Sequence, residues 1–131
     1  MLNKSLKPIW IGCMTLLLLV ISTATAAHTK SISSDPAPRS VINRSPQVIS
    51  ISFTQEFEPA YSNITVKDSN GKQVTEGKAT VDTENKKRLI LALPPLSLGK
   101  YTVSYKVLSL DGHTISSSYT FRIKKDKAST K

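Results

Sequence analysis

The chain has 131 residues, of which 18 are lysine or arginine and 9 are aspartate or glutamate, and it contains one cysteine. This length favours a single domain, and a lone cysteine excludes an intrachain disulfide. The basic clusters, Lys86-Lys87-Arg88 and a tail from about residue 125, are not interleaved with aromatic residues. We therefore interpret them as a solubilising surface and expect no nucleic-acid partner.

Residues 1–27 have the three parts of a secretory signal peptide. Lys4 and Lys7 form a positive n-region, residues 9–21 form an apolar core, and residues 22–27 have small side chains. The apolar core is shorter than the ~20 residues that span a bilayer. This length disfavours a retained membrane anchor. The sequence therefore predicts an exported, periplasmic protein whose mature form is soluble.

The cleavage site decides which residue begins the mature chain. Cleavage after Ala27 frees His28, whereas cleavage after Ala26 fits the small-residue rule slightly better and leaves Ala27 in front of it. The rule alone does not choose between them. We expect His28 to come first.

The mature chain, residues 28–131, is predicted to be one β-domain with a basic tail. Its only candidate soft ligands would have been Cys13, Met1 and Met14, and all three leave with the signal peptide. Thiolate and thioether ligands, which favour Cu(I), are therefore absent from the mature chain.

Short segments of alternating apolar residues, separated by turn residues, indicate β-strands along the whole mature chain. The segment D-S-N-G at 68–71 is typical of a tight turn, and Pro94-Pro95 should end a strand. About seven short strands in about a hundred residues favour a two-sheet antiparallel sandwich or small barrel. The predicted strands are 30–34, 47–53, 63–68, 72–76, 87–93, 100–109 and 115–124.

Three residues could together bind a metal. A first-residue His28 offers its α-amine and its ring nitrogen as a chelate, and both lose their protons when a metal competes near neutral pH. Asp111 and His113 flank a glycine, and in an extended segment their side chains would share a side. Three nitrogens and one oxygen suit tetragonal Cu(II). The plainer interpretation is a frayed terminus and an ordinary Asp-Gly hairpin turn, and the residues alone do not exclude it.

The mature chain also resembles the CopC family of periplasmic copper-binding proteins from about residue 28 to residue 124. After the leading histidine, the shared segments are S-S-D-P-A at 33–37, V-I-S-I-S-F at 48–53, V-x-D-x-x-G at 66–71, L-x-L-x-x-L-x-x-G-x-Y-T-V at 91–103, and Y-K-V-L-S-L-D-G-H at 105–113. The last of these is the most specific. The chain departs from the family in beginning H-T-K rather than H-A-H, and in having Tyr105 where tryptophan is common.

The resemblance implies an all-β, seven-stranded antiparallel Greek-key sandwich or barrel, immunoglobulin-like or cupredoxin-like. It implies one Cu(II) per chain, bound by His28 through amine and ring, by Asp111 and by His113. The methionine-rich Cu(I) site of many members should be missing, because residues 28–131 contain no methionine.

The leading functional hypothesis is therefore a non-enzymatic periplasmic Cu(II)-binding protein for copper tolerance. Its partners would be the copper ion and an inner-membrane CopD-like copper transporter that receives it. Two alternatives stay open: a metal-free immunoglobulin-like adhesion or assembly module, and a copper-dependent oxidative enzyme.

Overall fold

The alternating segments form strands in the structure, a computed structural model that describes residues 30–126. A 3-10 turn at Pro59–Tyr61 precedes the fourth strand. Within the described range the strands are β1 (Ser31–Asp35), β2 (Val41–Ile42), β3 (Val48–Phe53), β4 (Asn63–Lys67), β5 (Thr80–Val81), β6 (Arg88–Ala92), β7 (Gly99–Leu108) and β8 (Thr114–Ile123).

The strands make two four-stranded sheets, with the orders β1-β3-β6-β5 and β2-β8-β7-β4. One face of each sheet is apolar because every second residue of its long strands points inward. Ile49, Ile51 and Phe53 of β3, for example, are fully buried. These residues join Val103 and Val107 of the other sheet in a single core, so the domain is a two-layer sandwich.

The predicted all-β, two-sheet class is confirmed, with three differences in detail. The structure adds β2 and β5, which contain two residues each. The strand predicted at 72–76 is reduced to a bridge between Lys67 and Gln73, followed by a backbone bond from Val74 to Val66. β2 also pairs with β8 in parallel, not antiparallel. The described residues include no helix that is both long and apolar enough to cross a membrane.

The first described residues lie at the same end of the sandwich as the loop between β7 and β8. Lys30 and Thr54 exchange backbone and hydroxyl hydrogen bonds, and the Tyr105 hydroxyl of β7 donates to Ser31 Oγ at 2.8 Å. Phe57, whose ring contacts Phe53 edge to face, forms a bridge with Ser109 just after β7. This end of the molecule therefore brings the first described residues, Lys30 and Ser31, to the end that carries Asp111 and His113.

Candidate metal centre

The turn between β7 and β8 is closed by backbone hydrogen bonds. The Ser109 N–H donates to His113 O at 2.9 Å, and the Gly112 N–H donates to Ser109 O at 3.0 Å. Gly112 has a φ of 88°, a conformation that costs a residue with a Cβ about 1–2 kcal/mol. The glycine between Asp111 and His113 therefore occupies a position whose backbone conformation favours glycine.

The turn places the side chains of Asp111 and His113 together. His113 Nδ1 lies 3.2 Å from Asp111 Oδ1, and the His113 backbone N–H donates to the same oxygen at 3.2 Å. The His113 side chain is 59% exposed and the Asp111 side chain is 39% exposed. Their spacing in the sequence predicts that the two side chains share a side of an extended segment. They instead meet because the backbone turns at Gly112.

Ser109 fixes the carboxylate of Asp111 and was not identified from the sequence. Its side chain is 1% exposed, and its hydroxyl donates a hydrogen bond to Asp111 Oδ1. This bond, with the donated backbone N–H of His113, lowers the pKa of Asp111 to about 2. The carboxylate is therefore ionised, as a metal ligand must be, throughout the range in which proteins are stable. Ser109 could have been recognised because it continues the inward alternation of Tyr105 and Val107.

The spacing of the Asp111–His113 pair is compatible with two adjacent ligands of one metal ion. Donors on adjacent corners of a square-planar site with bonds of about 2 Å lie about 2.8 Å apart. The 3.2 Å between His113 Nδ1 and Asp111 Oδ1 is close to that separation. Among residues 30–126, no group of three or more His, Cys, Asp or Glu side chains could hold a metal ion. His28, the third predicted ligand, lies outside the described residues.

Comparison with known proteins gives a family for this chain. A family model described as the CopC domain matches residues 31–124. The chain belongs to the CopC family. This CopC-family chain is 28% identical over 119 residues to Copper resistance protein C of Xanthomonas campestris pv. juglandis, covering 84% of this chain and 93% of that protein. It is 27% identical over 106 residues to Protein YobA of Escherichia coli K12, covering 80% of this chain and 86% of that protein.

Solved CopC-family structures share its fold. The crystal structure of CopC from Methylosinus trichosporium OB3b has a TM-score of 0.71 and 34% identity, covering 77% of this chain and 98% of that one. PcoC, a methionine-rich copper resistance protein from Escherichia coli, has a TM-score of 0.66 and 24% identity, covering 75% of this chain and 100% of that one. At the latter identity the likeness concerns the fold alone. The residues from His28 onward contain no methionine, which distinguishes this CopC-family chain from a methionine-rich one.

Proposed function

We propose that this chain is a periplasmic Cu(II)-binding protein for copper tolerance. It binds one Cu(II) through the amine and ring of His28, the carboxylate of Asp111 and the imidazole of His113. Its relatives named Copper resistance protein C support the metal and the role. The predicted signal peptide supports the compartment.

The observation that carries this proposal is the Asp111–His113 pair. An ionised carboxylate and an imidazole nitrogen lie 3.2 Å apart on an exposed turn, and a buried serine hydroxyl holds the carboxylate. Such hydrogen-bonded carboxylates orient and tune metal ligands. An ordinary hairpin turn does not require this extra hydroxyl.

The proposed role of His28 is supported by its short separation in sequence from the described end of the sandwich. Ser31 pairs with Phe53, Lys30 bonds Thr54 just after β3, and Phe57 forms a bridge with Ser109. Three residue steps separate Ser31 from His28, and they can span up to about 10 Å. A chain that begins at His28 therefore has its amine and ring within a few residues of the end that carries the Asp111–His113 turn.

We further propose that the bound copper is passed to an inner-membrane CopD-like transporter. The exposed position of Asp111 and His113 at the end of the sandwich favours ligand exchange with a docked partner. A protein named Copper transport protein CutJ, from Bacillus subtilis, supports a link to transport. It is 26% identical to this chain over 117 residues, covering 88% of this chain but 22% of CutJ. Binding and transfer, rather than catalysis, is the proposed activity.

The experiment that tests the site is a Cu(II) titration of two forms of the chain that begins at His28, one with a free amine and one with that amine acetylated. Acetylation converts the amine of His28 into an amide and removes the chelate. We expect Cu(II) affinity to fall by more than about 100-fold, because loss of supporting partners alone costs 10–100-fold. A sample carried through the same procedure without the acetylating reagent is the matched control and should bind as the untreated chain does. Equal affinity for the free-amine and acetylated forms would contradict the proposal.

A thermal melt separates the copper binder from a metal-free adhesion module. A ligand that binds only the native state raises its stability by RT ln(1 + [L]/Kd). We expect one equivalent of Cu(II) to raise the Tm of the free-amine form and to leave that of the acetylated form nearly unchanged. An unchanged Tm for both would favour the metal-free module.

A further inference from the structure

The outer face of the β2-β8-β7-β4 sheet carries a concentration of positive charge. Its side chains are those that alternate with the buried core positions of these strands. Lys67, Lys100, Lys106 and Arg122 are all exposed on it. Most of the other members carry hydroxyls, namely Thr65, Thr102, Ser104, Thr114, Ser116, Ser118 and Thr120. We call this surface the basic face.

The basic face contains no carboxylate in the described strands. The nearest acidic residues lie beyond its ends. Asp68, after β4, accepts hydrogen bonds from two backbone N–H groups of its own turn, and Asp111 belongs to the copper turn. Glu58 lies beside the end of β7, where its N–H donates to Leu108 O. Within residues 30–126, no lysine or arginine of the basic face forms an ion pair. Their charged groups therefore face solvent without an ion-pair partner among the described residues.

Two cations of the basic face lie directly opposite each other. Lys100 of β7 pairs in register with Arg122 of β8, and Arg39 lines the same shallow depression. Like charges at opposed positions of an antiparallel pair are destabilising. The outer face of the other sheet differs, since Arg88 there bonds Asp82 at 3.0 Å. The opposed cations Lys100 and Arg122 thus lack an ion-pair partner among the described residues, whereas Arg88 of the other sheet has one.

The composition of the basic face indicates what it binds. Protein–protein interfaces depend on buried aromatic or apolar anchors, but the tyrosines and phenylalanine of these strands, Tyr101, Tyr105, Tyr119 and Phe121, point into the domain. Along β7 the face extends about 20 Å between Lys100 and Lys106, and Lys100 and Arg122 line a shallow depression on it. A broad, basic and hydroxyl-rich surface suits the phosphates of an anionic bilayer.

We propose that the basic face binds the surface of a membrane that contains anionic phospholipid. This inference goes beyond the copper site and does not depend on it. When the basic face contacts the membrane, the Asp111–His113 turn lies at the edge of the contact, because this turn joins the ends of β7 and β8. The metal site stays accessible to a membrane-embedded partner.

The test compares two variants with the same net charge. The face variant carries Lys67→Gln, Lys100→Gln, Lys106→Gln and Arg122→Gln. The loop variant carries Lys72→Gln, Lys78→Gln, Lys86→Gln and Lys87→Gln, all at exposed positions outside the basic face. Sedimentation with phosphatidylcholine vesicles, with and without phosphatidylglycerol, measures the binding of the chain from His28 to Lys131. Thermal melts check that both variants fold.

We expect the unmodified chain to bind only the vesicles that contain phosphatidylglycerol, and added salt to release it. Each cation at an anionic surface contributes about fivefold, so the face variant should bind at least about 100-fold more weakly. The loop variant should lose less than about tenfold. If the face variant does not fold, the double variant Lys100→Gln, Arg122→Gln replaces it, with an expected loss of about 25-fold.

Three results would overturn the proposal. Equal losses in the two variants would mean that net charge, and not the basic face, determines binding. Equal binding to neutral vesicles would exclude an electrostatic contact. Face-dependent binding to double-stranded DNA or inorganic polyphosphate, without binding to phosphatidylglycerol vesicles, would assign the face to a soluble polyanion.

Discussion

Two turns of this molecule are built from the same parts but differ in chemistry. After β4, Asp68 Oδ1 accepts the N–H groups of Asn70 and Lys72 at 2.9 and 3.0 Å, and Gly71 has a φ of 80°. After β7, Asp111 Oδ1 accepts the N–H of His113 at 3.2 Å, and Gly112 has a φ of 88°. In both turns an aspartate accepts backbone donors and a glycine takes the left-handed conformation.

In addition to its backbone donor, the Asp111 carboxylate has two side-chain partners. The buried hydroxyl of Ser109 donates to the Asp111 carboxylate, and the His113 ring lies against the same oxygen. An aspartate-glycine turn needs only the backbone bonds to close. The backbone bonds therefore explain the shape of both turns, and the added Ser109 and His113 side chains are the features that we propose serve copper binding.

The largest effect is expected from His113→Ala. Removing one imidazole donor should lower Cu(II) affinity by more than about 100-fold, because no other described residue can take its place at the turn. Unfolding free energy without copper should change by less than about 0.5 kcal/mol, since the ring is largely exposed. Competition titration against a chelator, together with chemical denaturation, measures both. An affinity within a few-fold of wild type would remove His113 from the site.

Asp111→Asn and Asp68→Asn test the two carboxylates as a matched pair. Asparagine keeps an acceptor oxygen in each turn but removes the charge. We expect Asp111→Asn to weaken Cu(II) binding by about 10–100-fold and Asp68→Asn to leave it unchanged. A comparable loss in both variants would mean that overall charge, and not ligation, determines affinity.

The two glycines give the next comparison. No atom lies within 4 Å of a Cβ added at Gly71 or at Gly112, so alanine at either position is opposed by backbone strain alone. Each substitution should cost about 1–2 kcal/mol of unfolding free energy. Only Gly112→Ala should also weaken copper binding, because it moves Asp111 relative to His113. Thermal denaturation and copper titration of both variants check this, and an equal copper affinity in both would contradict it.

Ser109→Ala is expected to have the smallest effect. Without the donated hydroxyl, the pKa of Asp111 should rise from about 2 towards its ordinary value of 3.8. Because the folded-state pKa is depressed, the associated stability is present above the ordinary value and disappears as pH falls towards 2. Carbon-13 NMR titration of the carboxyl group measures the shift. Copper affinity near neutral pH should fall by about tenfold, the low end of the range for a supporting partner, because the His113 N–H still holds the carboxylate. An unchanged pKa would contradict the role of Ser109.

Long strands could be predicted from the sequence because their alternation repeats several times. The ten residues of β7 and of β8 each show one apolar face, and both were predicted to within about one residue at each end. β2 and β5 could not be predicted, because two residues show no period. The return strand after Gly71 was overpredicted because a turn sequence fixes the reversal but not the length of the strand that follows. The basic face was missed since its cations are dispersed along the chain and meet only through strand register.

The candidate site was predictable in part. The pattern D-G-H identified Asp111 and His113, and the structure brings them together at 3.2 Å. The reason differs from the predicted one, since a turn rather than an extended strand places them. The alternation of Tyr105 and Val107 predicts that Ser109 points inward, but its hydrogen bond to Asp111 depends on the geometry of the turn, which a single sequence does not specify. The role of His28 stays a prediction.

Electron paramagnetic resonance of the copper-loaded chain, compared with its His113→Ala variant, measures whether the Asp111–His113 turn binds copper. We expect a tetragonal Cu(II) spectrum with three nitrogen ligands, two of them imidazoles. The variant should lose one imidazole nitrogen, while Asp68→Asn should retain the full set. A spectrum that His113→Ala leaves unchanged would contradict the proposal that the Asp111–His113 turn binds copper.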